Sequence, residues 1–328
     1  MTSVIGVDLG GTKVAVARLR GSELGESTLR PTDRRGPDEL VAQLVEMIDE
    51  AREDDLAAVG IGVPSLVEFA TGRVISSVNI PLADVPLRAV LGDQVGVPVF
   101  VDNDATVAAL AEAHDEQLRL VAHDLVMLTI GTGVGGGIVL GGRIYRGSTG
   151  GAGELGHTII GLPLEDSVPE PGQFPQRGSL EALAAGRALD ALAARAARAE
   201  PSSALGRLSS EHGKVLGADA VEAAREGDEV ARAAVELWAR RLGIGIANAI
   251  NIFDPDEVVV GGGAAAAGEL LLEPAAAVAR GYLLAGQASQ TRIRLARHGA
   301  RAGVLGAALL AAHELEAPVH RPTLEVSQ

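Results

Sequence analysis

"GVDLGGTKVAV", residues 6–16, is two short apolar runs joined by a turn with two glycines and a lysine. A similar stretch recurs at 126–140, "VMLTIGTGVGGGIVL", and a third apolar run, "DEVVVGGG" at 256–263, ends in three glycines. In both repeats a strand, not a helix, follows the turn, which sets them apart from the G-x-x-x-x-G-K-[ST] phosphate loop and from the dinucleotide fingerprint. Glycines at a hairpin tip let backbone N–H groups approach a ligand with no Cβ in the way, and successive N–H groups form an anion-binding nest. A single such hairpin is explained as an ordinary turn. Two of them, each with a Gly-Thr or Thr-Gly pair, plus a third glycine cluster after a strand, suit three strand ends meeting around one nucleotide. Asp8 would then hold Mg²⁺ through water, Thr12 and Thr132 would donate to phosphate oxygens, and Lys13 would add a point charge.

Around these stretches strands and helices alternate. Residues 4–19 read as two strands around Gly10-Gly11, and "DELVAQLVEMIDEARE" (38–53) has the apolar spacing of a helix. "LAAVGIGVP" (56–64) and "VPVFVDND" (97–104) read as strands, and "ATVAALAEA" (105–113) as the helix after the second. The second half restarts at 126 and is interrupted by a Pro/Gly-rich loop at 161–179. Helices are expected over 180–200, from about Asp228 to Ile250, and over about 302–315. The small residues of "GIGIANAI" (243–250) would let another backbone pack closely, which is compatible with self-association. The class is α/β. The two halves, each opening on a glycine-tipped hairpin, predict two related domains facing each other across a cleft. They are expected at 1–115, with the last helix packed on it, and at 116–301, before a loosely ordered tail at 316–328.

Composition narrows the function. In a chain of 328 residues with 47% hydrophobic but only 2% aromatic residues, the core must be aliphatic. The net charge of −15 argues against nucleic acid or an anionic membrane as partner, because both reward a basic face. With no cysteine there is no disulfide, thiolate metal site or cysteine nucleophile. The first residues, "MTSV", lack the basic region of a signal peptide, and no apolar run is long enough to cross a bilayer. A cytoplasmic protein is expected.

Together, "DLGGTKVAV", "TIGTGVGGGIV" and "VVVGGG" resemble, in order and spacing, the phosphate-1, phosphate-2 and adenosine motifs of the actin/hexokinase-like ATPases. More narrowly, the chain resembles the ROK family of repressors and sugar kinases from residue 4 to about 315. The resemblance implies the two-domain, ribonuclease H-like fold of that superfamily, with ATP and Mg²⁺ as cofactors. By the same match Gly10, Gly11, Thr12, Lys13, Thr132 and Gly133 face the phosphates, and Gly261, Gly262 and Gly263 flank the adenosine.

The acceptor side follows from "VDNDATVAAL" (101–110). An Asp at that strand-to-helix junction is explained as a helix N-cap, and it also suits a general base that takes a proton from an attacking hydroxyl. The resemblance favours the base, since Asn103-Asp104-Ala105 matches the family's N-D-A triplet; Asn103 would then contact the sugar. "GGAGELGHTII" (150–160) matches the family's E-x-G-H motif and implies Glu154 and His157 as sugar ligands. A carboxylate with a neutral imidazole suits a polyol, although a histidine satisfied within its own loop is the simpler reading of the residue alone. Glu181, favoured at a helix start by the dipole, and Asn79, in "SVNIPLADVPLR" (77–88), are sugar ligands by the same match.

One departure stands out. Where the family carries three zinc-binding cysteines, this chain has Gly172, Phe174 and Ser179, while Gly178 and Glu181 are retained. No N or S donor replaces the thiolates, so no structural zinc is expected. Pro163, Pro169, Pro171 and Pro175 are expected to restrain the loop instead. The resemblance implies an ATP-dependent sugar kinase, glucose to glucose 6-phosphate first, forming a homodimer or dimer of dimers. Alternatives are another hexose or an N-acetylhexosamine, polyphosphate as donor, and a non-catalytic sugar sensor. A repressor, expected to carry a DNA-binding domain before the first motif, fits less well.

Overall fold

In the computed structural model, residues 2–77, 79–162, 170–286 and 290–316 are described. The chain divides into two compact units: residues up to Asp104 together with Gly303 onward, and Ala105–Ala302.

The first unit opens with β1 (Ser3–Leu9) and β2 (Lys13–Arg20), an antiparallel pair, followed by the short β3 (Glu23–Leu24) and β4 (Thr28–Pro31). Helix α1 (Pro37–Ala51) starts on a proline with Asp38 and Glu39 in its first turn, where the dipole favours them. Its buried stripe, Leu40, Val41, Leu44, Met47 and Ile48, recurs at three- and four-residue steps. Then come β5 (Leu56–Val63), the hairpin β6 (Ser65–Glu68) and β7 (Arg73–Ser77), α2 (Leu87–Val95), β8 (Val99–Asn103) and α3 (Asp104–Glu112). The sheet order is β3-β2-β1-β5-β8, with β4 also pairing β2. β1, β5 and β8 run parallel, so Asp8 and Asn103 come out at the same edge of the sheet.

The second unit repeats that plan. β9 (Leu125–Ile130) and β10 (Val134–Leu140) form an antiparallel hairpin, extended by β11 (Arg143–Ile144). Helices α4 (Leu180–Ala184), α5 (Gly186–Ala199), α6 (Ala204–His212), α7 (Gly217–Arg225) and α8 (Glu229–Phe253) follow, then β12 (Glu257–Gly261), α9 (Glu269–Gly281) and β13 (Arg292–Leu295). The order is β11-β10-β9-β12-β13, and β12 runs parallel to β9 with Gly261 opposite Thr129. As the composition requires, the core is aliphatic; its one tryptophan, Trp238, is buried and donates Nε1–H to the carbonyl of Ala184 at 2.8 Å.

The chain's last helix, α10 (Ala302–Glu316), returns to the first sheet. A Cβ on Gly6 would collide with the Val304 carbonyl, and one on Gly60 with that of Ala307. Only glycine at those two strand positions lets a helix backbone lie so close.

Four sequence expectations change. The unit boundary falls at Asp104/Ala105, whereas 115/116 was expected, because α3 packs against β10: a Cβ on Gly137 would meet Ala105 and Ala109. The single helix over 180–200 is broken at Ala185, which is extended (φ −68°, ψ 168°), so that the N–H of Gly186 can bond to the Gly131 carbonyl at 2.8 Å. α8 runs past Ile250 to Phe253, capped at its start by Asp228, whose carboxylate accepts from the Ala231 N–H at 2.8 Å. Its small residues do let another backbone pack closely, but that backbone is α9 of the same chain, against Gly243, and Leu180 covers Gly245, so neither glycine offers a surface to a second chain. The tail from 317 onward, Pro163 and Pro169 lie outside the described residues. Among the described residues no helix is long and apolar enough to cross a membrane.

Candidate active site

The first glycine turn joins β1 to β2. The N–H of Gly10 donates to the Lys13 carbonyl at 2.9 Å, and Thr32 clamps the turn from outside, donating its hydroxyl to the Gly10 carbonyl (2.7 Å) and its N–H to that of Thr12 (3.1 Å). Thr12 and Lys13 are exposed, while Asp8 is half-buried. Burial pushes the Asp8 carboxyl up from its ordinary range, and the nearby Lys13 charge draws it down by less. A cation beside Asp8 would offset that cost, so this carboxylate suits Mg²⁺. Gly11 lies against Asn79: a Cβ there would stand 3.1 Å from the Asn79 Cβ. The turn 79–80 thus brings a proposed sugar ligand to the phosphate side of the same unit.

At the end of β8, Asn103 donates Nδ2–H to the Ser65 carbonyl at 3.3 Å, and its backbone N–H bonds to the Asp102 carboxylate at 2.9 Å. Asp104 opens α3 and is half-buried. Ser65, not singled out from sequence, also has a buried hydroxyl with no hydrogen-bond partner among the described residues, as a ligand-facing group would.

In the second unit, the turn 131–133 is held from two sides. Gly186 bonds the Gly131 carbonyl, and Glu181 Oε2 accepts from the Val134 N–H at 2.8 Å. Glu181 therefore braces the second glycine turn. Glu154 and His157 occupy a 3-10 turn (Leu155–His157 with Glu154 before it), and His157 Nε2 lies 3.5 Å from Glu154 Oε2. Backbone pairing closes the 154–181 spacing: Leu180 N–H donates to the Thr158 carbonyl, and Ile160 N–H to that of Gly178, each at 2.8 Å.

The three positions that would bear thiolates do other work. The Phe174 ring meets His157 edge-on, with centroids 4.9 Å apart. Gly172 is closed against Gln176 by two hydrogen bonds of 2.7 Å, its N–H donating to Gln176 Oε1 and its carbonyl accepting from Gln176 Nε2–H, and Ser179 caps α4 by accepting from the Ala182 N–H. Neither a phenyl ring nor a glycine is a metal donor, and no cluster of three or more acidic or histidine side chains among the described residues could hold a metal ion. Among the described residues, the side chains at these positions do not fit zinc.

A cavity of about 610 Å³ opens beside the second turn. It is bounded by Gly131 and Thr132, by Gly263 and Ala264 after β12, and by Asp190, Val221 and Trp238 of the helices behind. A Cβ on Gly131 or Gly263 would meet nothing within 4 Å, so both glycines face open space. Gly262 is different: with φ 76° and its Cα pressed on Ile130, it tolerates no side chain, and it carries the chain out of β12 past the turn. Thr132, Gly133, Gly261, Gly262 and Gly263 are thus gathered at one edge of one sheet. The helix residues behind them, Asp190, Glu222 and Arg225 among them, carry no motif; only the turn-to-cavity geometry reveals them. A glycine-lipped pocket next to an N–H turn fits a nucleoside joined to phosphates.

Residues 4–314 match the ROK family. The chain belongs to this family. A glucokinase from Halalkalibacterium halodurans is 33% identical over 317 residues, covering 92% of each chain. A xylose repressor from Caldicellulosiruptor bescii is 30% identical over 313 residues, spanning 93% of this chain and 76% of that one. Among solved structures, a ROK glucokinase from Streptomyces griseus, in complex with glucose and AMPPNP, superposes with a TM-score of 0.76 at 33% identity, covering 95% of this chain and 99% of that one. The fold of this ROK protein is therefore the actin/hexokinase-like one.

Proposed function

We propose that this chain is an ATP-dependent hexose kinase that converts glucose to glucose 6-phosphate and acts in the cytoplasm. The observation that carries the reading is the nucleoside-sized cavity opening on the Gly131–Gly133 turn, in a family whose relatives include glucokinases. The N–H groups of both glycine turns, with Thr12, Thr132 and Lys13, bind the phosphates, and Gly261–Gly263 flank the adenosine. Asp8 would hold Mg²⁺, which when bound would neutralise charge on the transferring group. Asn79, Asn103, Glu154, His157 and Glu181 hold sugar hydroxyls. Asp104 accepts the proton of the primary hydroxyl as its oxygen bonds to the γ-phosphorus, and the bond from that phosphorus to the bridging oxygen breaks to release ADP. Self-association as a homodimer or dimer of dimers belongs to the same proposal.

Polyphosphate is the weaker donor candidate, since apolar Leu189, Val221 and Trp238 wall the cavity and suit a nucleoside, while its charges, Asp190 and Glu222 against Arg187 and Arg225, offset one another. A second reading, a sugar sensor without catalysis, is favoured by the replaced thiolate positions Gly172, Phe174 and Ser179. One assay separates these readings: ADP release from ATP and Mg²⁺ over a panel of hexoses and N-acetylhexosamines, repeated with polyphosphate. Asp104→Asn should fold normally and lose about 10²–10⁴-fold in turnover; near-normal turnover would remove the base assignment. Thermal stabilisation by a sugar that is never phosphorylated would favour the sensor.

A further inference from the structure

A group of buried charges in the second unit takes no part in the site above. Glu112 is fully buried at the end of α3, and Glu257 and Arg294 are buried on β12 and β13. Arg294 donates Nη1–H to Glu112 Oε2 at 2.6 Å, Nη2–H to the Glu112 carbonyl at 2.8 Å, and Nε–H to Glu257 Oε2 at 2.7 Å. The backbone N–H of Arg297 bonds to Glu112 Oε2 at 3.0 Å and that of His298 to Oε1 at 2.9 Å. His298 Nε2–H donates to the His114 carbonyl at 2.9 Å.

Desolvating such charges costs about as much as their attraction returns, so an apolar set of equal volume would serve stability as well. A fully satisfied network serves direction instead. What it joins is informative. α3 begins at Asp104, and residues 297–298 lead directly into α10, whose Gly303 lies against the Asp8 carboxylate. These two segments are where the chain passes from one unit to the other.

We propose that Glu112, held by Arg294, is a positioning residue: it ties the end of α3 to the segment entering α10, so that Asp104 at the head of one helix and Asp8 beside the other keep fixed orientations. The proposal rests on the kinase reading of Asp104 and Asp8.

Glu112→Gln keeps the shape and the acceptor for the His298 N–H but removes the charge that holds Arg294. His298→Ala removes only the outer bond, at a partly exposed position. Both are assayed at a temperature where melting curves show them folded. For Glu112→Gln we expect kcat to fall roughly ten- to a hundredfold, with both KM values within about twofold. The yield of ADP per sugar phosphate should rise as water replaces the misaligned hydroxyl. His298→Ala should shift the same way by less. A merely structural role would lower the melting temperature without changing that yield. Wild-type kcat and yield in folded Glu112→Gln overturn the proposal, as does a loss explained by KM alone. Asp104→Asn run beside it separates the two ideas: if that variant keeps its turnover, the base assignment fails, while lost coupling in Glu112→Gln still supports the tie. If no sugar is turned over, amide exchange decides. Faster exchange in the first turns of both α3 and α10 supports the tie, and an effect confined to the end of α3 overturns it.

Discussion

Asp8 of β1 and Asp102 of β8 lie in register with the same residue, Gly62 of the strand that separates them. At about 4.8 Å per strand the two positions are about 10 Å apart across the sheet. The first glycine turn and the head of α3 therefore leave the same carboxyl edge of a parallel sheet, where α/β folds bind ligands. The register also fixes which face each side chain takes, since a slip of one residue would reverse them all.

Asp8 should trade stability for function. Burial raises its carboxyl, so the ionised form is disfavoured in the fold. A raised folded value means a contribution that is full below the unfolded value, about pH 4, and lost as pH rises through the folded one. At neutral pH the charge is a cost, so Asp8→Asn should melt a few degrees higher than wild type, with the gap closing toward pH 4. Phosphoryl transfer should fall about 10²–10³-fold. A variant that melts lower at neutral pH would contradict this account of the site.

Glu181 should matter to the nucleotide as well as to the sugar. Its Oε2 accepts the Val134 N–H that closes the second glycine turn. Glu181→Gln keeps the acceptor and should raise KM for the sugar mainly. Glu181→Ala should raise KM for both sugar and ATP, several-fold each, because the turn loses its brace. If Glu181→Ala leaves the ATP value untouched, the turn does not depend on this side chain.

Much of this architecture was legible in the sequence because strands and turns are local. The apolar runs and glycine pairs at 6–16, 126–140 and 256–263 marked β1–β2, β9–β10 and β12 closely. Contacts remote in sequence were not legible. Nothing local announces that the Gly186 N–H will leave its helix for the Gly131 carbonyl, breaking an Ala-rich run that reads as one helix. The small residues at 243–250 announced a close-packed backbone without showing that it would be α9 of the same chain, against Gly243. The cavity wall of Asp190, Val221 and Glu222 comes from helices that carry no motif.

The cavity proposed for the nucleotide can be filled selectively. Gly263 faces open space, so a side chain there folds without a clash and occupies the cavity. Gly263→Leu should raise KM for ATP about tenfold or more, with little change in melting temperature or in sugar KM. Unchanged ATP affinity in a folded variant would move the nucleotide elsewhere.

His157 meets the edge of the Phe174 ring. Phe174 is 72% exposed, so truncating it costs little core packing, yet its edge meets the imidazole. Phe174→Ala should raise sugar KM several-fold, leave ATP KM within about twofold, and leave the melting temperature nearly unchanged. Dialysis against a strong zinc chelator, with Mg²⁺ restored, should leave both activity and melting temperature as they were. Loss of either on chelation, reversed by zinc, would show that the loop binds metal by a route other than these three positions.

His114 supplies a pH test of the fold. It is buried, and burial lowers its basicity; the Leu110 carbonyl that accepts Nδ1–H at 2.8 Å opposes this, and His298 adds to it. Native His114 therefore stays neutral where the unfolded chain already takes a proton, below about pH 6.5. Unfolding then binds the extra proton, so stability falls as pH drops from that value toward the lowered one. His114→Gln keeps an amide donor for Leu110 and does not titrate. Between about pH 7.5 and about pH 5.5 the wild type should lose melting temperature more steeply than His114→Gln. Parallel slopes would mean that His114 is protonated in the native protein and that its burial does not control the charge.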